Sequence, residues 1–341
     1  MKKSILAMLF VSSLLVGCKD DDNEIDVEEE VVTEGQLDYT IGTQLDISGW
    51  DWKDASLGTI GTLTPLTGSI SSDITLDAAL TYSLSGIYSV ESGATLTIPA
   101  GTKIVADAGT GVYIVVQKGG MINVQGTSSN PVVMSTESGN FGGLVICGDA
   151  TTTEGVDATA EVGNLPYGGT NDSDNSGSIS YLVINNAGAI ITGDSQYNGL
   201  SLYAVGSGTT ISNVSFTNGA DDGIEFFGGT VSVTNLYSAD NQDDAIDWTE
   251  GWNGTVTNAY ISHSTDSYST ALEGDGDNGN PSFVNLTAVA AFEGTGMQFK
   301  KESGATITNL YLEGYSPEID FRDEGAYSNV QIDGSSAVII E

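Results

Sequence analysis

Apolar residues recur in pairs along the second half of the chain, and a single residue separates the two members of each pair. Residues two apart in a β-strand point to the same face of the sheet, so these pairs predict short strands with an apolar inner face. They return roughly every 22 residues, a period typical of a solenoid in which each repeat is one coil. The pairs are Leu200 and Leu202, Ile224 and Phe226, Ile246 and Trp248, Leu272 and Gly274, Met297 and Phe299, and Ile319 and Phe321.

A second repeat consists of an asparagine followed by an apolar residue, with spacings of 22, 23, 27, 24 and 20 residues. Amide side chains stacked at equivalent turns can hydrogen-bond along the stack, so we expect a structural ladder. Together the two repeats predict an all-β fold, a single-stranded right-handed parallel β-helix over residues 67–341. The predicted ladder residues are Asn213, Asn235, Asn258, Asn285, Asn309 and Asn329.

The first 17 residues have the layout of a secretory signal peptide, with two lysines before an apolar run at residues 5–16. The run is too short to be a stable membrane span. Leu15, Val16, Gly17 and Cys18 together resemble the lipobox of bacterial lipoproteins, which implies acylation of Cys18 and a lipid anchor in the membrane. We therefore expect an exported outer-membrane lipoprotein, displayed at the cell surface.

Two further segments precede the predicted β-helix. Residues 18–36 are acidic and lack aromatic residues, as expected of a solvated tether. Residues 37–66 contain Trp50 and Trp52 but no repeat, and a β-helix needs something to cover its first coil. We therefore predict that residues 37–66 form an N-terminal cap.

The formal net charge of −37 limits the partners that the protein can bind. Nucleic acid is excluded as a partner, because the chain would repel the phosphate backbone. So many acids repel one another and call for cations, which makes Ca²⁺ the expected cofactor.

Five segments resemble a known family, the secreted right-handed β-helix proteins and lipoproteins of bacteria within the pectate-lyase-like fold. Most members of that family are uncharacterised, and many carry transporter labels. The resemblance implies the same fold and a secreted or surface location for this chain. It rests on residues 92–102 (SGATLTIPAGT), 141–146 (FGGLVI), 167–177 (YGGTNDSDNSG), 221–231 (DDGIEFFGGTV) and 243–247 (DDAID).

Acidic residues fall on the outer face of the predicted strands. Glu225, Asp247 and Glu273 lie between the paired apolar residues, so neighbouring coils should stack them about 4.8 Å apart. Like charges at this spacing repel or recruit a cation, and we expect them to bind calcium. Lys300 and Arg322 follow on the next coils of the same face.

Other acids have two interpretations. Asp221, Asp222, Asp243 and Asp244 precede the strands, where aspartate can cap a tight turn or bind an ion. Two oxygen-rich loops are weaker calcium candidates, and they contain Asp172 and Asp174, and Asp275 and Asp277.

These observations favour a non-catalytic surface protein that uses a calcium-binding acidic face for adhesion to a carbohydrate or to another surface protein. An alternative follows from the polysaccharide lyases that share this fold: Glu225, Asp247 and Glu273 would hold calcium while Lys300 or Arg322, with a lowered pKa, acts as base. A second alternative is a structural protein that self-associates end to end, since residues 338–340 are apolar and have no obvious cap.

Overall fold

Short β-strands separated by glycine, asparagine and aspartate turns wind into coils in the computed structural model, which describes residues 36–37, 41–192, 195–336 and 339–340. The predicted signal peptide, Cys18 and the tether up to residue 35 lie outside the described residues. Within them, no helix is long and apolar enough to cross a membrane. The helical elements of this part of the chain are short 3₁₀ turns at Asp51–Asp54 and Tyr327–Asn329.

Each coil contributes to three parallel columns of strand pairing, which we call sheets A, B and C. Sheet A contains the strands Tyr113–Val116, Leu144–Cys147, Leu200–Tyr203, Ile224–Phe227, Ile246–Thr249, Thr270–Gly274, Thr295–Lys300 and Ile319–Arg322. Longer strands bend from sheet B into sheet C, namely Gly177–Asn185, Thr210–Thr217, Ser232–Ala239, Thr255–His263, Ser282–Ala290 and Ala305–Glu313.

The remaining strands complete these columns or form small antiparallel pairs. Leu63–Ile70 and Thr81–Val90 bend from sheet C into sheet A. Sheet B also contains Ile74–Thr75, Thr95–Pro99, Met121–Gln125 and Val330–Ile332, and sheet C contains Lys103–Ala106 and Val132–Thr136. The antiparallel pairs are Gln36–Leu37 with Ile339–Ile340, Ala158–Thr159 with Pro166–Tyr167, Ile190–Thr192 with Ser195–Gln196, and Ser335–Ser336 with Val330–Ile332.

The register of sheet A is the one that the apolar pairs predict. Leu200 pairs with Ile224, and the column continues in register through Ile246, Leu272, Met297 and Ile319. These side chains, apart from the partly buried Ile319, are fully buried in one apolar core that runs along the axis of the coils. The prediction of an all-β parallel β-helix is therefore confirmed, although its first strand starts at residue 63 rather than 67.

The asparagine ladder forms at the corner between sheets B and C. Side-chain amides of consecutive coils donate to one another over 2.8–3.0 Å, in the order Asn309, Asn285, Asn258, Asn235 and Asn213. Each has a positive φ between 55° and 60°, a conformation that asparagine tolerates better than most residues.

Asn329, the last predicted ladder residue, lies outside the ladder. Because Val330 pairs with Ala305, Asn329 precedes the strand instead of standing at the corner. Its amide donates to the carbonyl of Glu302 over 3.0 Å. The position after Asn309 is taken by Asp333, which also has a positive φ and accepts a hydrogen bond from the Asn309 backbone N–H over 2.7 Å. Spacing alone could not separate these two positions, because both lie about one coil beyond Asn309.

The N-terminal segment predicted as a cap docks along the side of the coils over its described residues. Residues 41–58, which we call the strap, run along the outside of sheet C from the last coils back to the early ones. The Gly42 N–H donates to the Leu310 carbonyl over 2.6 Å, and the Ser215 hydroxyl donates to the Lys53 carbonyl over 2.9 Å. At the far end, Trp52 and Leu57 pack on outward-facing valines of sheet C, which are Val105, Val133 and Val183. The absence of a repeat showed that the segment is not a coil but did not indicate where it docks.

The apolar C-terminal residues also have a partner. Ile339–Ile340 pairs antiparallel with Gln36–Leu37. The self-association hypothesis, which rested on residues 338–340 having no obvious cap, stays a prediction.

Candidate functional site

One long segment interrupts the coils on the side of sheet A. Residues 148–176, which we call the insertion, lie between Leu144–Cys147 and Gly177–Asn185. They contain the Ala158–Thr159 and Pro166–Tyr167 hairpin and bury Val162 and Tyr167 against Tyr203 and Phe227 on the outer face of sheet A. Insertions into a solenoid repeat commonly mark its binding face.

The insertion and sheet A enclose an acidic cleft of about 350 Å³. Acids predominate among its lining residues, and within the described part of the chain no lysine, arginine or histidine lines it. The cleft is therefore a site of concentrated negative charge. Its lining residues are Glu154, Thr159, Glu161, Tyr167, Tyr203, Glu225, Phe227, Asp247, Thr249, Glu250, Glu273 and Asp275.

The floor of the cleft is the predicted acidic column. Glu225 pairs in register with Asp247, and Asp247 with Glu273. Asn198 donates its amide to Glu225 Oε2 over 2.7 Å, and Lys300 donates to Glu273 Oε1. Asp247 Oδ1 is buried and has no hydrogen-bond partner among the described residues. The central carboxylate of the column therefore lacks the donor that a buried oxygen requires.

The turn before these strands adds a second acidic column. Asp222 Oδ1 accepts a hydrogen bond from the Asp244 N–H over 2.8 Å, and Asp244 Oδ1 accepts two from Thr270 over 2.7 Å. The turn-capping interpretation of these two aspartates is therefore observed. It leaves the ion-binding interpretation open, because a carboxylate has acceptor sites left after capping one turn.

Three groups of carboxylates converge within the two columns, each with oxygens that all lie within 4.8 Å of one another. Asp222 and Asp247 each belong to two groups, so the groups form one continuous cluster. All seven predicted ligands on the strands and turns are thereby brought together. The groups are Asp221, Asp222 and Asp243; Asp222, Glu225 and Asp247; and Asp244, Asp247 and Glu273.

Burial and mutual repulsion raise the pKa values of this cluster. Burial, followed by the charges of Asp243 and Glu161, raises the pKa of Asp221 to about 8. Burial is also the largest cause for Asp222, Asp244 and Asp247, whose pKa values lie well above the ordinary range because of neighbouring carboxylates. The cluster cannot be fully ionised near neutral pH unless a cation offsets the charge.

Four predicted calcium ligands lie outside these groups. Asp172 Oδ1 accepts from the Thr151 N–H over 3.0 Å and so links the two ends of the insertion, whereas buried Asp174 accepts from the nearby Ser176 hydroxyl over 3.1 Å. Asp275 lines the cleft but forms an ion pair of 3.1 Å with Lys301, and Asp277 is exposed. The oxygen-rich sequence indicated loops at these positions, but the carboxylates of these loops do not converge in the groups described above.

The two basic residues of the lyase hypothesis are both paired with acids. Burial alone would lower the pKa of Lys300, but its hydrogen bond to Glu273 and the charges of Glu273, Asp247 and Asp244 outweigh burial and raise it. Arg322 forms an ion pair of 2.6 Å with Asp320 and is more than half exposed. A base needs a lowered pKa, so the change at Lys300 has the wrong sign for that role.

Several residues of the cleft were not predicted from the sequence. Glu154 and Glu161 come from the insertion, Glu250 follows a sheet A strand, and Tyr203 lies one coil before Phe227. Only the break in the repeat at residues 148–176 could have directed attention to the insertion. Its docking over sheet A depends on tertiary contacts that no local pattern shows.

A stack of parallel coils with an acidic cleft on one sheet places the protein among the β-helix proteins. The family model of the pectate-lyase-like β-helix domain matches residues 68–340, and the chain belongs to this family. Neither a curated protein nor a solved structure matches the chain significantly. The family relation supports a carbohydrate-related protein.

Proposed function

We propose that the protein is a non-catalytic, calcium-dependent carbohydrate-binding protein whose ligand binds at the acidic cleft. The main observation behind this proposal is the continuous carboxylate cluster on sheet A, in which Asp247 Oδ1 is buried and no described residue donates a hydrogen bond to it. Buried carboxylates need protons, basic partners or a cation, and the described residues provide one lysine, Lys300, at the edge of the cluster.

Calcium is the cation that suits this set of groups. It binds six to eight oxygen ligands at 2.3–2.6 Å and tolerates irregular geometry, whereas Mg²⁺ requires a near-ideal octahedron. The groups of three supply carboxylate oxygens only, with no cysteine or histidine among them. Each group would leave coordination positions for water or for an incoming ligand.

A bound ion would also give the cleft its means of recognising a glycan. Hydroxyl and carboxylate oxygens of a sugar can replace water on calcium, whereas the bare cleft would repel an acidic polymer. The coils on either side of the cleft extend the same sheet, so several sugar units can lie along the stack. Calcium binding without calcium-dependent glycan binding in the test below would favour a protein as the ligand instead.

We further propose that the protein acts at the cell surface, attached through a lipid at Cys18. This proposal rests on the lipobox resemblance at Leu15 to Cys18 and on the signal-like residues before it. It is tested by metabolic labelling with a fatty acid, which Cys18→Ala should abolish. Labelling that persists in that variant would contradict it.

The function is tested by calorimetric titration of the protein with CaCl₂, followed by glycan binding in calcium and in chelator. We expect Asp247→Asn to weaken calcium binding at least tenfold and to abolish calcium-dependent glycan binding. Glu137→Gln is the matched control, because it removes one exposed acid outside the cleft. Absence of calcium binding by the unmodified protein would refute the proposal.

The same experiment separates the lyase alternative. We expect no ultraviolet absorbance from unsaturated products when uronate polysaccharides are incubated with the calcium-loaded protein. Product formation that Lys300→Ala abolishes would replace our proposal with a lyase.

A further inference from the structure

The insertion places acids above the acidic floor of the cleft. Glu161 is exposed as a residue, yet it lines the same cleft as Glu225 and Glu250. Partial desolvation of its carboxyl group and the charge of Glu250 raise its pKa to about 7. Closing the insertion over sheet A therefore brings like charges together, and something must offset their repulsion.

The hydrogen bonds that hold the insertion do not offset it. Glu250 accepts hydrogen bonds from the Tyr167 hydroxyl over 2.7 and 2.8 Å and from the Thr152 hydroxyl over 2.5 Å. Both donors belong to the insertion and both are neutral. They fix its base but leave the charges of Glu250 and Glu161 without a positive partner among the described residues that line the cleft.

Two buried polar atoms, one lining the cleft and one on a residue that contacts Glu225, have no hydrogen-bond partner among the described residues. Tyr203 is 1% exposed and lines the cleft, and its hydroxyl has no hydrogen-bond partner among the described residues. Asn198 is fully buried, and while its amide nitrogen donates to Glu225, its Oδ1 is likewise unpartnered within the described chain. Buried oxygen atoms without partners beside carboxylates are typical of a site for a hydrated cation. The cation offsets the negative charge, and its water molecules donate hydrogen bonds to the oxygens.

We propose that Glu161 is a ligand to the cation that binds above Glu225, so that cation binding locks the insertion over sheet A. This inference rests on the proposed calcium binding and goes beyond it, because it assigns a ligand to the insertion and makes closure depend on the ion. A ligand that favours the closed form stabilises it by its difference in affinity for the two forms. Without the ion, Glu161 faces Glu225 and Glu250 unscreened and the insertion opens more often.

The test measures hydrogen exchange of residues 148–176 in the full protein at pH 8. The hairpin amide of Ala160, which donates to the Leu165 carbonyl over 2.8 Å, reports closure. We expect CaCl₂ to slow its exchange at least tenfold relative to chelator. A strand amide of the sheet A core should not respond.

Glu161→Gln separates a ligand from a merely structural residue. Removing this charge should weaken calcium binding about tenfold, slow the exchange of the insertion in chelator, and reduce its response to calcium. A structural role alone would leave calcium affinity unchanged. Glu137→Gln serves as the charge-matched control and should behave like the unmodified protein.

The two proposals fail in different ways. If calorimetry shows calcium binding but exchange of the insertion does not change, the lock is wrong and the calcium-dependent function stands. If Glu161→Gln retains both full affinity and the full exchange response, Glu161 is not a ligand. If calorimetry detects no calcium binding, both proposals are refuted.

Discussion

At the scale of single residues, the protein uses polar side chains in two opposite ways along one stack. The asparagines of the corner between sheets B and C satisfy one another, each amide donating to the next over 2.8–3.0 Å. The carboxylates of sheet A stand at similar coil spacing but cannot donate to one another when ionised. The first column stabilises the fold, and the second raises its free energy until protons or cations are bound.

Replacing a ladder asparagine should destabilise the fold more than replacing an asparagine outside the ladder. Asn258→Ala breaks two amide hydrogen bonds and places alanine at a φ of 60°. We expect a loss of about 2–4 kcal/mol of unfolding free energy in urea denaturation. Asn329→Ala, which removes one bond to the Glu302 carbonyl, should cost less than half as much. Equal losses would show that the ladder has no special role.

Replacing a floor carboxylate should have the opposite effect in the absence of metal. Burial and the charge of Glu161 raise the pKa of Glu225, and glutamine keeps the acceptor for Asn198 while removing the charge. We expect Glu225→Gln to raise Tm in chelator at pH 8 by about 2–4 °C, the effect of about 1 kcal/mol in a large domain. Its Tm should no longer rise with calcium. A lower Tm in chelator would mean that the Glu225 charge stabilises the protein.

At the scale of elements, the strap joins coils that are distant in the sequence. It contacts Leu310 at one end and Leu57 packs near Val105 at the other, so one extended segment spans most of sheet C. Trp52 is 4% exposed and meets Tyr181 edge-on at 5.6 Å. Since the strap contributes no strand to sheet C, these contacts and a few hydrogen bonds are what hold it.

Trp52→Ala should release the strap while leaving the coils folded. Truncating a buried tryptophan costs about 3–5 kcal/mol, which would increase local opening roughly a hundredfold or more. We expect limited proteolysis to cut within residues 41–58 much faster, with the far-ultraviolet circular dichroism of the coils unchanged. Trp50→Ala, at the less buried neighbour, is the control and should have a smaller effect. Global unfolding of the Trp52 variant would show that the strap and the coils unfold together as one cooperative unit.

The elements that repeat were predictable from the sequence, whereas the strap and the insertion, which do not repeat, were not. The pairing of Ile224 with Ile246 follows from the two-residue alternation and the period, since a register error would turn apolar side chains outward. The same alternation identified Glu225, Asp247 and Glu273 as neighbours. The strap and the insertion have no period, and their positions are set by contacts such as Trp52 with Val133 and Tyr167 with Glu250. Glu161 was missed for this reason.

At the scale of the whole molecule, a net charge of −37 works against a compact fold. Part of that charge is concentrated in one cleft rather than spread over solvent-exposed turns. The charged form of the cleft is therefore the least stable form of the metal-free protein, and its stability should follow the titration of the cleft.

Metal-free protein should lose stability as pH rises from 5 to above 8. The folded pKa of Glu161 is about 7 and that of Asp221 about 8, both above the ordinary values of 4.5 and 3.8, so the native state binds more protons than the unfolded chain across this range. The stability they contribute is complete at low pH and disappears as pH passes 7 and 8. We expect Tm in chelator to fall by several degrees, whereas millimolar calcium should flatten the profile because the ion replaces the protons. The double variant Glu161→Gln, Asp221→Asn should make the fall in Tm with pH smaller without calcium, and Glu137→Gln should not. A Tm that rises with pH in chelator would show that ionisation of these carboxyl groups does not destabilise the folded protein.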